Sequence, residues 1–417
     1  MRVLHLSYSD LAGGAARAAY RIHRALIGSG IDSRMLVREK ISTDPTVSQA
    51  TEGLGGSGRI LQRRLSNLLL RLQRSPDHTL RSLNLFRSNM PRQLDLQSAD
   101  IINLHWVGLE TMSVAEIGRI SKPVVWTLHD MWAFCGSEHY ARDAPDARHR
   151  EGYRADNRVG GASGIDLDRW TWNRKRRAWR RPYHVVCPSR WLAGCTRGSA
   201  LMSTWPVDVI PNPIDCSLYA PQERRRARVE LGLPPHAKVL LFGAAGGVAD
   251  PRKGFRHLLA ALQQFHSQER ERTVLALFGG HMESAEPPAG FRVQEFGHID
   301  DERKMAMLYG AADAFVAPSE MDNLPNTVVE ALACGTPVVG FDVGGMPDMV
   351  TSGREGHLCR PFDASELAAG IRAILDHPSP QSLRDAARSR ALQMFGEQRI
   401  ALKYQELYER VLGEREA

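Results

Sequence analysis

Short apolar runs recur along the chain and are separated by longer stretches in which apolar residues return every three or four positions. The short runs are typical of buried strands, and the longer spacing is typical of helices that bury one face. The clearest helical stretch, Ala15–Ile27, directly follows the first run. The runs that predict strands are Val3–Tyr8, Ile101–Leu104, Val124–Leu128, Tyr183–Cys187, Val207–Ile210, Lys238–Gly243, Val274–Phe278, Ala314–Ala317 and Pro337–Phe341.

A proline-rich break, Pro211 to Pro221, divides these runs into two series. Alternation of strands and helices favours parallel sheets with crossover helices, and two series favour two doubly wound α/β domains. We therefore predict an N-terminal domain over residues 1–205 and a C-terminal domain over 206–390. The last segment, 391–417, contains good helix formers with regularly spaced apolar residues, and we expect it to pack back towards the N-terminal domain.

Composition narrows the class of protein. The chain has 417 residues, of which 43% are hydrophobic, and a formal net charge of +7, which favours anionic partners. Its six cysteines include no CxxC pair, so a zinc ribbon or a redox dithiol is not expected. No window offers the ~20 apolar residues that a spanning helix needs. We expect a cytoplasmic protein, with peripheral contact to the inner face of a membrane.

Two basic segments lie outside the strand series. Arg59–Arg74 combines a leucine stripe with flanking arginines, which is typical of an amphipathic helix at an anionic membrane surface. A helix docked on its own domain, with a solvated basic face, explains the pattern equally well. The second segment, Trp170–Arg181, mixes tryptophans and cations, and it predicts an acceptor contact, a membrane contact or a solvated helix face.

Two candidate ligand contacts follow strands of the N-terminal half. Gly13 and Gly14 stand between the first strand and the first helix, where glycine lets a ligand approach the backbone and a helix N-terminus favours an anion. His129 follows Val124–Leu128, and ligands of open α/β sheets bind beyond the carboxyl ends of strands. A tight turn and a structural histidine are the alternatives.

Two further candidates lie in the C-terminal half. Arg252 and Lys253 precede a helical segment, which is a placement that suits a diphosphate, although a solvated turn is the alternative. In Asp322–Glu330 a strand leads through a polar loop into a helix. Pro325 is expected in the first turn of that helix and Gly335 at its end. Glu330 is expected to accept both hydroxyls of a ribose, while the amides around Asn323 face the diphosphate.

These motifs together resemble a family of enzymes. The glycine pair, Thr127–Asp130, Lys253-Gly254 and the acidic pair Asp322 and Glu330 match the retaining glycosyltransferases of family four, which have two Rossmann-like domains (the GT-B fold) and a cleft between them. The resemblance covers most of the chain.

The resemblance implies a role for each candidate residue. Glycosyltransferases of this type would use His129, Asp322 and Lys253 at the reacting centre, with no metal and no cofactor other than the nucleotide-diphosphate sugar that serves as donor. The donor would contact Gly13, Gly14, Arg252, Lys253, Gly297, Ile299, Asp322, Asn323, Leu324 and Glu330. Retention of anomeric configuration is implied as well.

The sequence departs from the family pattern at three positions. Asp322 stands where glutamate is usual, Gly247 stands where a second diphosphate cation is usual, and only Cys135 remains of several cysteines after the His-Asp pair. Arg252 would have to replace the missing cation, and the loss of cysteines indicates no metal site in that region. The run DNLPNTVVEALACG is similar to that of enzymes of surface-polysaccharide assembly.

Three classes of function stay open. The first is a glycosyltransferase that acts on a saccharide or lipid-linked saccharide acceptor. The second is a nucleotide-sugar epimerase or a phosphorylase with a similar fold, although no cofactor lysine or equivalent phosphate site is found. The third is a non-catalytic basic protein that binds membrane or nucleic acid, and the lack of a recognised motif makes nucleic acid an unexpected partner.

Overall fold

The computed structural model describes residues 1–50, 55–77, 79–88, 90, 98–243, 250–280 and 288–416. The strands are β1 Arg2–Ser9, β2 Asp32–Glu39, β3 Val47–Gln49, β4 Gln73–Arg74, β5 Ile101–Leu104, β6 Val124–Thr127, β7 Ser163–Gly164, β8 His184–Cys187, β9 Val207–Val209, β10 Lys238–Gly243, β11 Thr273–Phe278, β12 Arg292–Glu295, β13 Ala314–Ala317, β14 Val338–Phe341 and β15 Gly356–Cys359.

The helices lie between these strands and after the last of them. They are α1 Gly14–Gly28, α2 Gly55–Leu70, α3 Val114–Ile117, α4 Arg148–Glu151, α5 Leu167–Ala178, α6 Arg190–Arg197, α7 Arg224–Glu230, α8 Phe255–Leu262, α9 Ser267–Glu271, α10 Glu302–Ala311, α11 Asn326–Ala333, α12 Met346–Met349, α13 Ala364–Leu375, α14 Pro380–Phe395 and α15 Glu397–Glu416. A 3₁₀ turn, Pro251–Lys253, precedes α8.

The chain forms two compact units. The first consists of Met1–Ile210 with Ile400–Ala417, and the second of Pro211–Arg399. The sequence placed the boundaries at 205/206 and 390/391. The second boundary falls later because α14 is one continuous helix whose Ala387, Ala391 and Phe395 are buried in the core of the second unit.

A seven-stranded parallel sheet organises the N-terminal unit, in the order β3-β2-β1-β5-β6-β8-β9. Apolar residues of β1, β5, β6 and β8 pack against α1 on one face. The same core contains Ile400, Tyr404, Leu407 and Tyr408 of α15, and the hydroxyl of Tyr408 accepts a hydrogen bond from Asn103 Nδ2 at 2.6 Å. The last helix therefore completes a core that begins almost 400 residues earlier in the chain.

A six-stranded parallel sheet organises the C-terminal unit, in the order β12-β11-β10-β13-β14-β15. It has a hydrophobic core on each face, which explains why its strands are nearly continuous apolar runs. In both units the loops that carry the predicted site residues follow the carboxyl ends of strands.

Several strands and the end of one helix differ from the sequence prediction. No run predicted β2, β3 or β15, because polar residues interrupt the apolar pattern of β2 and β3, and β15 contains a single large apolar side chain, Leu358. The helix predicted for Arg59–Arg74 ends at Leu70, since Gln73–Arg74 pairs with Ser163–Gly164 as a short antiparallel ribbon.

The basic run Trp170–Arg181 belongs mainly to α5, and one face of it lies in the core. Trp172, Lys175 and Trp179 are buried, and Lys175 Nζ donates to the carbonyls of Cys135 at 3.1 Å and Gly136 at 2.7 Å. The expectation that this run is a surface contact is therefore wrong for these three side chains. It persists only for the exposed residues, such as Arg176 and Arg177.

Among the helices that the structure describes, none combines the length and the apolar character that crossing a membrane requires.

Candidate active site

The turn between β1 and α1 carries the first predicted contact. Gly13 has φ 88° and caps α1, which begins at Gly14. A Cβ at Gly13 would meet no atom within 4 Å, so open space lies above this backbone. Asp10 fixes the turn by accepting hydrogen bonds from the amides of Ile41 and Ser42, both at 2.9 Å. The turn is therefore held rigid while its glycine remains accessible.

Three histidines form a hydrogen-bonded chain across three adjacent strands of the same unit. His5 lies in β1, His105 directly follows β5, and His129 follows β6. His5 Nδ1 lies 2.8 Å from His105 Nε2, and His105 Nδ1 lies 3.1 Å from His129 Nε2. Each ring nitrogen in these contacts must donate to or accept from its neighbour, so the tautomer of His129 is coupled to those of His105 and His5.

Burial keeps this chain neutral. It lowers the pKa values of His5 and His105 well below their usual value, and the nearby histidines add to the effect. Burial also lowers the pKa of His129 to about 4, although Asp130 acts in the opposite direction. A neutral imidazole at His129 can either donate or accept a hydrogen bond, depending on its tautomer.

Asp130 organises the other side of the same shallow pocket. Its Oδ2 accepts hydrogen bonds from Trp106 Nε1 and pairs with His139 Nδ1, both at 2.6 Å. Burial alone would raise the pKa of Asp130, but His139 and the bonds from Trp132 and Trp106 outweigh it and hold the pKa low. The pocket is lined by these residues together with His105 and His129. It thus places an anion beside a neutral histidine chain.

In the C-terminal unit, the structure brings two predicted motifs together. Lys253 Nζ donates to Asp322 Oδ2 at 2.6 Å, and the amide of Glu320 donates to the carbonyl of Arg252 at 2.8 Å. The 3₁₀ turn before α8 therefore packs on the loop after β13. Arg252 pairs with Asp250 at 2.8 Å, so each predicted diphosphate cation has a carboxylate partner.

Two glycines allow this loop to be approached closely. Gly254 has φ 70°, and a Cβ there would lie 1.9 Å from the carbonyl oxygen of Pro318. Gly344 has φ 55°, and a Cβ there would lie 2.0 Å from the carbonyl oxygen of Asp322. The amide of Gly345 donates to that same oxygen at 3.0 Å. The backbone around Asp322 is thus clamped from both sides by positions that only glycine can fill.

Helix α11 begins immediately after this loop. Its first residue is Asn326, and Pro325 occupies the capping position that precedes it rather than the first turn, which corrects the sequence prediction by one position. Gly335 follows the helix with φ 70°, as predicted. Glu330 is buried in the helix, and its Oε2 accepts a hydrogen bond from the hydroxyl of Tyr309 at 2.9 Å. This bond holds in place one carboxylate oxygen of Glu330, the residue that is predicted to bind the ribose.

The remaining predicted contacts of this unit lie on neighbouring loops. Asn323 and Leu324 are buried beside Asp322. Gly297 has φ 60° and follows β12, and Ile299 packs against the same hydrophobic core as Leu324 and Tyr309. Gly247 lies outside the residues that the structure describes. The role of each of these residues in donor binding stays a prediction.

Family models match both units of the chain. The model described as Glycosyltransferase Family 4 matches residues 12–218, and the model described as Glycosyl transferases group 1 matches residues 238–377. The chain belongs to glycosyltransferase family 4. The two parallel-sheet domains predicted from the sequence are confirmed as the GT-B fold of this family.

Curated relatives and solved structures agree with this assignment. The chain is 37% identical over 182 residues to D-inositol 3-phosphate glycosyltransferase 2 of Catenulispora acidiphila, a match that covers 40% of this chain and 42% of the relative. The sucrose-phosphate synthase of Thermosynechococcus elongatus shares its fold with a TM-score of 0.70 at 20% identity, over 99% of this chain and 100% of that one. Anabaena Alr3699/HepE, solved in complex with UDP-glucose, has a TM-score of 0.63 at 19% identity, over 98% and 99%.

The matched regions span about half the length of the curated relatives, between 42% and 55%. The likeness to the solved structures supports the fold alone.

Sequence reasoning missed two residues of the glycosyltransferase's histidine chain, His5 and His105. The signal was present, since each is a polar residue within or directly after an apolar strand run, and buried polar groups are seldom left without a partner. The apolar runs do not indicate which strands are neighbours in the sheet. The three rings meet only because β1, β5 and β6 are neighbours.

Proposed function

We propose that this glycosyltransferase moves a sugar from a nucleotide-diphosphate donor to a saccharide or lipid-linked saccharide acceptor. The observation that supports the donor class most strongly is the placement of Lys253 beside the loop that starts α11. A lysine and a helix N-terminus that converge on one loop favour a phosphate-bearing ligand. UDP-glucose bound to the similarly folded Anabaena protein is in line with this donor class.

The leaving diphosphate would share Lys253 with Asp322. In the structure the ammonium group is paired with the carboxylate at 2.6 Å, so the cation is already held at the loop before a donor arrives. A diphosphate on the other side of Lys253 gains charge as the sugar leaves, and a fixed cation stabilises that charge without reorganising. Arg252 would supply the second cation, and Glu330 would bind the ribose hydroxyls.

Retention of configuration and independence of metal at the donor diphosphate are part of the proposal. Lys253, Arg252 and the amide-rich turns at Gly13-Gly14 and Asn323 would provide the charge stabilisation that a divalent ion provides elsewhere. The test is transfer after exhaustive EDTA treatment, with the product anomer read by NMR. Activity that EDTA abolishes and manganese restores contradicts metal independence, and an inverted product contradicts retention.

For the acceptor, we propose a growing surface polysaccharide, on the basis of the run DNLPNTVVEALACG. Inositol phosphate is the second candidate, because the 37% identical relative is named for it. A panel of UDP- and GDP-sugars is first screened for thermal stabilisation. The stabilising donor is then combined with inositol phosphate and with lipid-linked saccharides, and the acceptor that yields a glycoside decides between the two.

We also propose that α2 binds the glycosyltransferase to the inner, anionic face of a membrane. Its leucine stripe faces solvent, with Leu61 58%, Leu65 41% and Leu68 58% exposed, whereas Ser66 on the opposite side is buried and donates to Glu110 Oε1 at 2.9 Å. Arg63 and Arg64 on the same helix are exposed. Exposed leucines beside exposed arginines suit lipid acyl chains under anionic headgroups.

Liposome flotation tests this membrane proposal. Binding is expected on anionic vesicles, to fall with added salt, and to be lost when Leu61, Leu65 and Leu68 are replaced by serine. Replacing the exposed Leu392 and Leu402 of the other helices is the matched control, and it should leave binding unchanged. Equal flotation of the leucine variant and the unmodified protein would contradict the proposal.

A further inference from the structure

A cluster of metal-ligating side chains lies in the N-terminal unit, outside the residues discussed so far. It consists of Asp143, His149 of α4 and Cys195 of α6, and one potential ligand atom from each lies within 4.8 Å of the other two. Asp143 and Cys195 are 52 positions apart. No sequence spacing could therefore indicate the cluster, and only the packing of α6 brings the thiol to it.

His149 is the observation that points to a ligand. Its side chain is fully buried, yet neither ring nitrogen has a hydrogen-bond partner among the residues that the structure describes. Its ring packs against Phe134 at a centroid distance of 5.7 Å. Buried polar groups in native proteins nearly always have a partner, and burial favours the neutral imidazole, which is the form that binds metals.

The other two side chains already have a suitable separation. Cys195 Sγ lies 3.4 Å from Asp143 Oδ2, as donor to acceptor. Two ligands bonded tetrahedrally to zinc, one sulfur and one oxygen, lie about 3.5 Å apart. A zinc ion can thus replace the thiol proton between these two atoms with little movement.

Groups around the carboxylate would orient it. Arg150 donates to Asp143 Oδ1 at 2.6 Å, and Trp191 Nε1 donates to Oδ2 at 3.0 Å. Outer hydrogen bonds of this kind commonly hold metal-ligating carboxylates in place. The Asp143 side chain is 25% exposed, which leaves a path for the ion and a position for water.

We propose that Asp143, His149 and Cys195 form a zinc-binding site, with water as the fourth ligand. Nitrogen, sulfur and oxygen donors are the ligand set that zinc prefers, and here one atom of each kind lies within 4.8 Å of the other two. The ion would pin the segment around α4 to α6, and binding would release the thiol proton. This site is separate from the proposed donor chemistry, and the proposal does not depend on it.

The test uses the full chain without a polyhistidine tag. The protein is stripped with a chelator and titrated with Zn²⁺ by calorimetry, and Co²⁺ is added in parallel to report the ligands by absorption. We expect one Zn²⁺ per chain, a rise in melting temperature, and a sulfur-to-cobalt charge-transfer band. Cys195→Ser should abolish the band and weaken Zn²⁺ binding beyond the roughly 10–100-fold loss that is typical of an outer-shell partner.

Cys187→Ser is the matched control. Cys187 lies in β8, and its buried thiol is hydrogen-bonded to the hydroxyl of Thr196, the residue that follows Cys195 in α6. This variant should keep both the band and the affinity. An octahedral Co²⁺ spectrum without a sulfur band in the unmodified protein overturns the proposal, as does equal Zn²⁺ affinity in Cys195→Ser. The spectrum of the unmodified chain decides the question even if a variant fails to fold.

Discussion

The two units present candidate site residues of opposite character at the carboxyl ends of their strands. The N-terminal unit buries a neutral chain of His5, His105 and His129, in which the tautomer of each ring decides which nitrogen donates a hydrogen bond and which accepts one. The C-terminal unit presents charged groups, with Lys253 paired to Asp322 and Arg252 paired to Asp250. The N-terminal unit thus presents neutral imidazoles beside the anion of Asp130, while the C-terminal unit presents cations that are held in ion pairs.

The difference indicates a division of labour under the proposed function. Neutral groups can position sugar hydroxyls without repelling an anionic donor, whereas the departing diphosphate requires cations. Ion pairs keep those cations in place without a ligand. They also oppose donor binding, because the diphosphate must compete with each carboxylate for its cation. Substitutions on the two sides should therefore fail in different ways.

The largest expected effect is that of Lys253→Ala. Loss of one transition-state contact of this kind lowers kcat roughly 10²–10³-fold. We expect this loss in kcat at saturating donor, measured by initial rates of transfer. Arg252→Ala in the same background should reduce the rate further.

Two checks accompany the Lys253 variant. Because Asp322 is left as a buried carboxylate without its lysine, the melting temperature must show that the variant is folded. Lys304→Ala removes an exposed cation of α10 in the same unit and should keep normal turnover. Near-normal kcat in the folded Lys253→Ala, Arg252→Ala double variant would show that these two cations do not stabilise the leaving group.

Glu330→Ala should act on binding rather than on turnover. Loss of a charge-assisted hydrogen bond to the ribose weakens nucleotide binding by about 1.5–3 kcal/mol. Calorimetry with the free nucleotide measures this directly. Tyr309→Phe is the comparison, because it removes the hydrogen bond to Glu330 but keeps the carboxylate, and its effect should be smaller. Unchanged affinity in a folded Glu330→Ala protein would remove Glu330 from the donor site.

The sequence predicted the charged residues of the C-terminal unit better than the neutral histidine chain of the N-terminal unit. Strands such as Ala314–Ala317 and Lys238–Gly243 have the predicted bounds, and the loops after them contain Asp322 and Lys253, because a strand-loop-helix pattern is local. The pairing of Lys253 with Asp322 was not predicted, since it joins residues 69 positions apart. The histidine chain was missed for the same reason, as it depends on β1, β5 and β6 being neighbours.

The buried neutral histidines should make the N-terminal unit sensitive to acid. Besides the chain of three, they include His23 of α1, whose ring centroid lies 5.6 Å from that of His5. Burial lowers the pKa of His23 and that of His129 to about 4, from an ordinary value of 6.5. Between these pH values the unfolded chain binds protons that the folded state does not, so stability is full above pH 6.5 and falls as the pH drops towards 4. Each such histidine should lower the free energy of unfolding by about 2 kcal/mol between pH 6.5 and pH 5.

Urea denaturation between pH 7 and 5 measures this slope. His23→Gln should flatten it, because glutamine can hydrogen bond with Ser33 or Thr46 but does not titrate. His236→Gln, at an exposed position of the C-terminal unit, is the control and should leave the slope unchanged. Hydrogen exchange, corrected for its intrinsic pH dependence, should show faster opening of β1 and β5 at pH 5. A pH-independent free energy of unfolding would contradict the acid prediction.

The smallest expected effect on stability, and the most discriminating for the N-terminal half, comes from Gly13→Ala. Gly13 has φ 88° and ψ 177°, a backbone region that is essentially restricted to glycine, and a methyl group there would meet no atom within 4 Å, so the cost of alanine is backbone strain of roughly 1–3 kcal/mol. Gly30, at the other end of α1, has φ 81° and equally open surroundings, so Gly30→Ala should also destabilise the protein through backbone strain and not through a clash. If donor phosphate approaches the turn, however, only the methyl group at Gly13 lies in its way. We therefore expect a loss in melting temperature in both variants, and a fall in kcat/KM for the donor in Gly13→Ala alone. Equal kinetics in the two variants would mean that the glycine serves the turn and not the ligand.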